Sequence, residues 1–308
     1  MKPLVAAPLG LLGAGVTGLA YAAWEARAYT LRHVTVPVLE SGAAPLTVLH
    51  VSDLHLTPSQ GRKQRWVREL ARLEPDLVVS TGDNLAHPDA VEPVVEAYGE
   101  LLQRPGVFVF GSNDYFAPIP KNPVRYLTGG TGTSVGGSWE RVPTLPFEHL
   151  RTAFTAGGWL DLNNATGSLD VDGRRLAFAG VDDPHLEYDE LDDAPVDPAA
   201  DLAVAVAHAP YLRVLDHFGA QGYPLLLAGH THGGQLAVPG YGALVTNCDL
   251  DRRRAKGLST HHVPGHDPSW LHVSAGLGTS PYAPLRFACR PEATLLTLTG
   301  IDSPGLSS

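Results

Sequence analysis

Cysteine is nearly absent from this chain of 308 residues: Cys248 and Cys289 are the only two, and they form no C-x-x-C pair. A thiolate-built metal site is therefore disfavoured, and at most one disulfide could form. Positive charge is also sparse. With 22 Lys and Arg against 32 Asp and Glu, the formal charge is −10, and the basic residues are scattered except for the run Arg252–Arg254. That distribution argues against a surface that grips a nucleic-acid polymer along its backbone, and nothing in the pattern points to a protein partner. Internal repeats and low-complexity domains are missing too. What remains, 44% hydrophobic and 18% charged residues, is an ordinary globular composition with enough chain for a sizeable core.

A long apolar run occurs only at the amino terminus. Lys2 is followed by PLVAAPLGLLGAGVTGLAYAAW, from Pro3 to Trp24, with no charged residue. About 20 apolar residues suffice to cross a bilayer as a helix. Residues 1–27 thus read as an apolar anchor or signal segment; Ala20 and Ala22 fit cleavage after Ala22. The remaining reading is a packed amino-terminal helix of a soluble protein. The expectation is a membrane-associated or exported protein rather than a cytoplasmic one, with the membrane as a partner through this segment. Lys2 on one flank competes with Arg27 and Arg32 on the other, so orientation stays open.

Beyond a short polar stretch the chain alternates. PLTVLHVSDLH predicts a buried strand with a polar carboxyl end, and GRKQRWVRELARLEP a helix with Trp66, Val67, Leu70 and Leu73 on one side, stopped by Pro75. DLVVSTGD, AVEPVVEAYGELLQ and GVFVFGSND continue as strand, helix, strand. Residues 119–146, including TGGTGTSVGGS, predict a long loop; Lys121, Arg125 and Arg141 within it are weak candidates for phosphate or headgroup contacts. FEHLRTAFTAGG predicts a helix, and WLDLNNA, GSLDVDG, RRLAFAGV, DLAVAVAH, YPLLLAGHTH, WLHVSAGLGTS and EATLLTLTG predict strands. Such alternation implies an α/β sandwich whose functional residues gather beyond the carboxyl ends of the strands.

Polar residues with ligating side chains sit at those ends in a fixed order: Asp53 and His55 in VSDLH, Asp83 in STGDN, Asn113 in GSNDY, His208 in VAHAP, and His230 and His232 in AGHTHGG. Residues two apart on extended backbone face the same side, so Asp53 with His55, and His230 with His232, can each grip one cation. Carboxylate, amide and imidazole donors suit Mn, Fe or Zn. Two such cations about 3.5–4 Å apart need a bridging group, which Asp83 on its Gly-Asp turn can supply. A pair of this kind clamps attacking and leaving oxygens and makes hydroxide available near neutral pH, which points to phosphoester hydrolysis. The other histidines, His87, His149, His217, His261, His262, His266 and His272, are expected to be solvated surface residues.

These residues resemble the calcineurin-like metallophosphoesterases, whose pattern is D-x-H, G-D, G-N-H-[DE], H and G-H-x-H. The resemblance runs from about Leu46 to Leu298. SDLH, GHTHGGQ, GVDD and the closing PLRFACRPEATLLTL are similar to a bacterial branch that begins with an apolar amino-terminal segment. It implies a four-layer α/β/β/α sandwich, with a catalytic domain over residues 44–300. It also implies that Asp53, His55 and His232 hold one metal, that Asn113, His208 and His230 hold the other, and that Asp83 bridges them. Some members of the branch hydrolyse nucleotide-linked lipid precursors, so the implied substrate is a phosphodiester or pyrophosphate, with a lipid-linked or envelope compound as one candidate.

One block departs from the pattern: Gly111-Ser112-Asn113-Asp114-Tyr115 stands where the family has G-N-H-[DE]. Ungapped counting from Gly106 puts Asn113 on the ligand position and Asp114 on that of the family's proton-donating histidine. Anchoring on Asp114-Tyr115 instead puts Ser112 on the metal. The first register is preferred because an amide oxygen is the better neutral ligand, and it makes Asp114 a candidate catalytic residue beside Asp83. Either way the usual histidine is missing, which predicts weak dependence on a protein acid and a preference for good leaving groups. The alternatives are a non-catalytic, membrane-tethered module that keeps its metals, and a soluble nucleotide phosphatase.

Overall fold

The computed structural model describes residues 6–119 and 142–302. The Gly-rich run and Lys121, Arg125 and Arg141 lie outside them. Among the described residues the chain forms two six-stranded sheets with helices on both outer faces.

The first sheet contains β1 (Thr30–Leu39), β2 (Leu46–Val51), β3 (Leu77–Ser80), β4 (Gly106–Phe108), β5 (Leu160–Asp161) and β14 (Glu292–Gly300), in the order β1-β14-β2-β3-β4-β5. The second contains β6 (Ala165–Val171), β7 (Arg174–Gly180), β8 (Leu202–Val206), β9 (Leu225–Ala228), β12 (Gly257–His261) and β13 (Ser269–Val273), in the order β12-β13-β9-β8-β7-β6. Between β9 and β12 in sequence lies a small separate hairpin of β10 (Ala237–Val238) and β11 (Gly242–Ala243).

Period-two alternation sorts the apolar residues into three layers. Leu49, Val51, Val78 and Phe108 face outward from the first sheet, where α2 (Gly61–Glu69), α3 (Val91–Tyr98) and, after the single-turn α4 (Ser112–Tyr115), α5 (Phe147–Ala156) cover them with Val67, Val94 and Phe154. Their neighbours Val48, Leu77, Val79 and Val107 face inward and meet Leu176, Phe178, Val204 and Val206 of the second sheet. On the far side Ala177, Ala179, Ala203 and Ala205 leave room for α6 (Leu212–Ala220), which seats Val214, Leu215 and Phe218. The expected four-layer α/β/β/α sandwich follows from helix, sheet, sheet and helix stacked in this order.

Two expectations change. The stretch read as short and polar contains β1, a ten-residue strand paired in parallel with β14 from Thr30↔Glu292 to Leu39↔Gly300. Its edge position leaves much of it half-buried, which blurs the apolar pattern. Two histidines expected at the surface are buried: His261 on β12, with Nε2 2.8 Å from Asp216, and His272 on β13. The His272 ring points between the sheets, where its Nδ1 lies 2.9 Å from Nδ1 of His50 on β2; His50 Nε2 reaches Thr81 Oγ1 at 3.0 Å. The alternation that faces Val273 and Leu271 to one side faces His272 to the other.

The amino-terminal stretch forms α1 (Ala6–Glu25). Its last turn is docked: the Glu25 carboxylate accepts the N–H groups of Ala288 and Cys289 at 2.9 and 3.0 Å, and Arg286 N–H donates to the Ala22 carbonyl. Among the described residues no helix is long and apolar enough to cross a membrane.

Candidate metal centre

The carboxyl ends of β2, β3, β8 and β9 converge at one rim, and each leaves its sheet by a sharp turn. Asp53, His55, Asp83, His230 and His232 all have left-handed backbone, with φ of 51°, 41°, 55°, 67° and 50°. Non-glycine residues rarely adopt this conformation, and its strain concentrates at functional sites. The adjacent glycines allow the turns to approach. A Cβ on Gly229 would stand 1.9 Å from Ser52 Oγ and 2.7 Å from Asp53 Oδ2, and one on Gly111 would stand 2.4 Å from Asp83 Oδ1.

Asp53 Oδ2 accepts Ser52 Oγ–H and His230 N–H at 2.5 and 3.1 Å, whereas its Oδ1 is buried without a hydrogen-bond partner. That oxygen lies 3.9 Å from His55 Nε2 and 3.6 Å from His232 Nε2, and the two Nε2 atoms face each other at 3.2 Å. Asp83 Oδ2 is 3.4 Å from His55 Nε2 on one side and 3.5 Å from His208 Nε2 on the other. The His208 Nδ1–H donates to the Thr81 carbonyl at 2.6 Å, which leaves Nε2 as a buried lone pair with no partner. Donors that converge at 3.2–3.9 Å with unsatisfied lone pairs fit cations at ligand distances of about 2.0–2.2 Å. Two groups of three ligand atoms result, Asp53–His55–His232 and Asp53–Asp83–His208.

His230 packs edge-on to His208, with ring centroids 5.2 Å apart, and its Nε2 lies 3.3 Å from the Asn247 carbonyl. Asn113 is bonded to Asp83 twice, main-chain N–H to Oδ1 at 2.7 Å and amide Nδ2 to Oδ2 at 2.8 Å, so its amide oxygen is the atom left to donate a lone pair. Ser112 Oγ only accepts from Asn113 Nδ2, at 3.3 Å. Asp114 lies below the turn with no exposed surface. Its Oδ2 accepts the N–H groups of Asp83 and Gly111 at 2.8 and 3.0 Å, and its Oδ1 those of Asn84 and Leu85 at 2.8 and 3.2 Å. Both oxygens are thus committed to main chain, an arrangement for holding a Gly-Asp turn rather than for delivering a proton.

The electrostatics follow from burial and mutual charge. Burial keeps His55, His230 and His232 below the usual imidazole range, His55 at about 4, so they are neutral, the form that binding a cation requires. Burial opposes ionisation of Asp83 too, but His208, His55 and the Asn113 N–H outweigh it and hold the carboxyl well below its ordinary value. Asp53 is pushed up to about 6 by burial and the neighbouring Asp83 charge. Burial opposes a charged His208, yet Asp83, Asp183 and Asp53 raise it well above the ordinary value, so the same carboxylates that would draw a cation to its Nε2 draw a proton there when no cation is bound.

Several contributors were not singled out from sequence. The GVDD segment supplies Asp183, fully buried, with Oδ1 on His185 N–H and Oδ2 unpartnered; burial, then Asp83, pushes it up to about 8. The half-buried His185 ring stands 4.6 Å from that of His230. Arg286 is also fully buried and donates to the carbonyls of Ala275, Gly276 and Gly278 at 2.7, 3.0 and 2.7 Å, fixing the loop whose Gly278 N–H bonds the Asp53 carbonyl. A charged residue in an apolar-looking tail carries no periodic signal, so these roles are set by loop closure alone.

A mixed sandwich with a cluster of carboxylates and imidazoles at one rim defines a metal-dependent hydrolase. Residues 46–234 match the calcineurin-like phosphoesterase family, and the chain belongs to it. It is 27% identical to the uncharacterized metallophosphoesterase YkuE of Bacillus subtilis, over 89% of this chain and 85% of that protein. It is 28% identical to a transmembrane protein with metallophosphoesterase domain of Bos taurus, over 92% of this chain and 59% of that protein. The phosphodiesterase YaeI of Escherichia coli is 26% identical, over 87% of both. The protein is accordingly a metal-dependent phosphoester hydrolase.

Proposed function

We propose that this protein hydrolyses phosphodiester or pyrophosphate bonds with two divalent cations. Asp53, His55 and His232 would hold one cation, Asn113, His208 and His230 would hold the other, and Asp83 would serve both. The observation that carries the reading is Asp83 Oδ2, nearly equidistant from His55 Nε2 and His208 Nε2 at 3.4 and 3.5 Å. When bound, Mn, Fe or Zn would neutralise phosphoryl charge and acidify water. The chain's own residues orient the ligands: the Thr81 carbonyl fixes the His208 tautomer, His230 N–H and Ser52 aim Asp53, and the carboxylate of Asp114 grips the turn that bears Asp83. Asp114 is thereby a positioning residue. No imidazole stands in its place, which supports a preference for esters with good leaving groups. A lipid-linked or envelope substrate is supported by the apolar α1 and by relatives named as transmembrane proteins.

The purified chain should hydrolyse bis-p-nitrophenyl phosphate with Mn²⁺ added, and lose at least about 100-fold in kcat on chelation or on Asp83→Asn. A folded, metal-loaded protein inert toward mono-, di- and pyrophosphate esters would instead favour a non-catalytic module.

A further inference from the structure

The exposed end of α1 continues into a larger apolar surface. The ring of Tyr21 lies 5.5 Å edge-on from Phe287, the Phe287 carbonyl accepts the N–H of Ala237 at the start of the β10–β11 hairpin, and Leu244 N–H returns to the Leu236 carbonyl. Along this path large apolar side chains face solvent: Leu19 is 59% and Trp24 54% exposed on α1, Val238 44% and Tyr241 58% on the hairpin, and Tyr282 57% beyond it. Exposed apolar side chains on segments linked in this way are the kind of surface that marks an interaction site.

Its border is rich in arginine, with Asp251 the one acid in the exposed run Asp251–Arg253. In a chain of net charge −10, Arg252, Arg253 and Arg290 are exposed along the border of this face. Arg252 lies 5.2 Å over the Tyr241 ring and Arg290 lies 5.5 Å over the Trp24 ring. Amphipathic aromatics paired with arginines beside apolar residues match the headgroup level of an anionic bilayer. The face also adjoins the metal centre. Gln235, whose amide donates to the Ala283 carbonyl at 2.9 Å, follows His232 by three residues, and Cys289 Sγ lies 3.3 Å from the His232 carbonyl.

We propose that this face docks on an anionic lipid bilayer, with α1 lying in the interface and the hairpin and Tyr282 inserted beside it. The metal centre is thereby held at the level of the headgroups. The proposal rests on the phosphoesterase reading only for what reaches the centre, a phosphoester carried by a lipid.

Flotation of the full chain with vesicles tests it, using phosphatidylcholine alone and phosphatidylcholine mixed with phosphatidylglycerol. The wild type should float with the mixed vesicles, less with phosphatidylcholine alone, and less again at high salt. Val238→Asp with Tyr241→Asp should cut the bound fraction about tenfold while leaving bis-p-nitrophenyl phosphate hydrolysis unchanged. Arg252→Glu with Arg290→Glu should abolish the preference for the anionic lipid. Flotation of the hairpin variant equal to that of the wild type, or no flotation of the wild type, overturns the proposal. So does a wild-type dimer that the hairpin variant turns into a monomer, because a second copy is then the occupant. Flotation without hydrolysis in the wild type would remove the phosphoesterase reading and leave the docking face standing.

Discussion

Asp114→Asn tests most directly how the centre is held. The carboxylate receives four main-chain N–H groups, two on each oxygen. Asparagine keeps one acceptor and turns an NH₂ toward the other two donors, so two charge-assisted hydrogen bonds are replaced by donor facing donor in a site with no water-exposed surface. At about 1.5–3 kcal/mol for each bond to a charged group, and allowing for incomplete additivity, the substitution should cost about 3–5 kcal/mol. In a domain of this size that lowers Tm by about 6–20 °C. The Gly82–Leu85 turn should shift, taking Asp83 with it; metal affinity and kcat should each fall about 10- to 100-fold, while the residual activity keeps its pH profile. Burial and the charge of Asp83 push Asp114 up to about 7, against the pull of its N–H donors. Were it protonated and donating at working pH, the near-isosteric Asn would cost little stability and would remove one limb of the pH profile. Thermal unfolding, metal content and a pH–rate profile on one preparation decide between these. A Tm within about 2 °C of wild type together with a lost limb would refute the positioning role.

The His50–His272 pair makes stability depend on pH. Burial lowers His272 to about 4, and burial and His272 lower His50 well below 6.5. Because the folded values lie below the unfolded one, stability is full above pH 6.5 and falls as the pH drops toward 4, where the unfolded chain takes up protons that the folded chain refuses. For His272 this amounts to about 3 kcal/mol across the window. Urea midpoints at pH 7.5 and 5 should differ more for wild type than for His272→Leu, and equal differences would sink the idea. Gly229→Ala should destabilise by about 2–4 kcal/mol and reduce metal occupancy, since its Cβ would collide with Ser52 Oγ beside Asp53; unchanged metal content and urea midpoint would show that the rims can separate freely.

Much of the fold was legible because strands and helices imprint their periods locally. Leu77, Val78 and Val79 in an unbroken apolar run announce a strand buried on both faces, and Val67 and Leu70 announce one side of a helix. β1 was not legible, because an edge strand is half exposed and its parallel partner β14 lies at the far end of the chain. His272 is illegible for a related reason: polarity alone suggests the surface, and only a partner arriving from another sheet, His50, lets a buried imidazole keep a hydrogen bond.

The sequence by itself determined which groups could bind cations and that they would meet, because each ends a strand in an alternating α/β chain. It also located the departure at Ser112–Asp114. The tertiary structure decided how they meet: the left-handed turns at five of those residues, the Asp83 oxygen lying between two histidines, and Asp114 turned inward onto four N–H groups. It also joined α1, the β10–β11 hairpin and Phe287 into one exposed face. Ligand chemistry is a property of single residues and survives in one dimension, whereas geometry and burial arise from loops that close over segments distant in the chain.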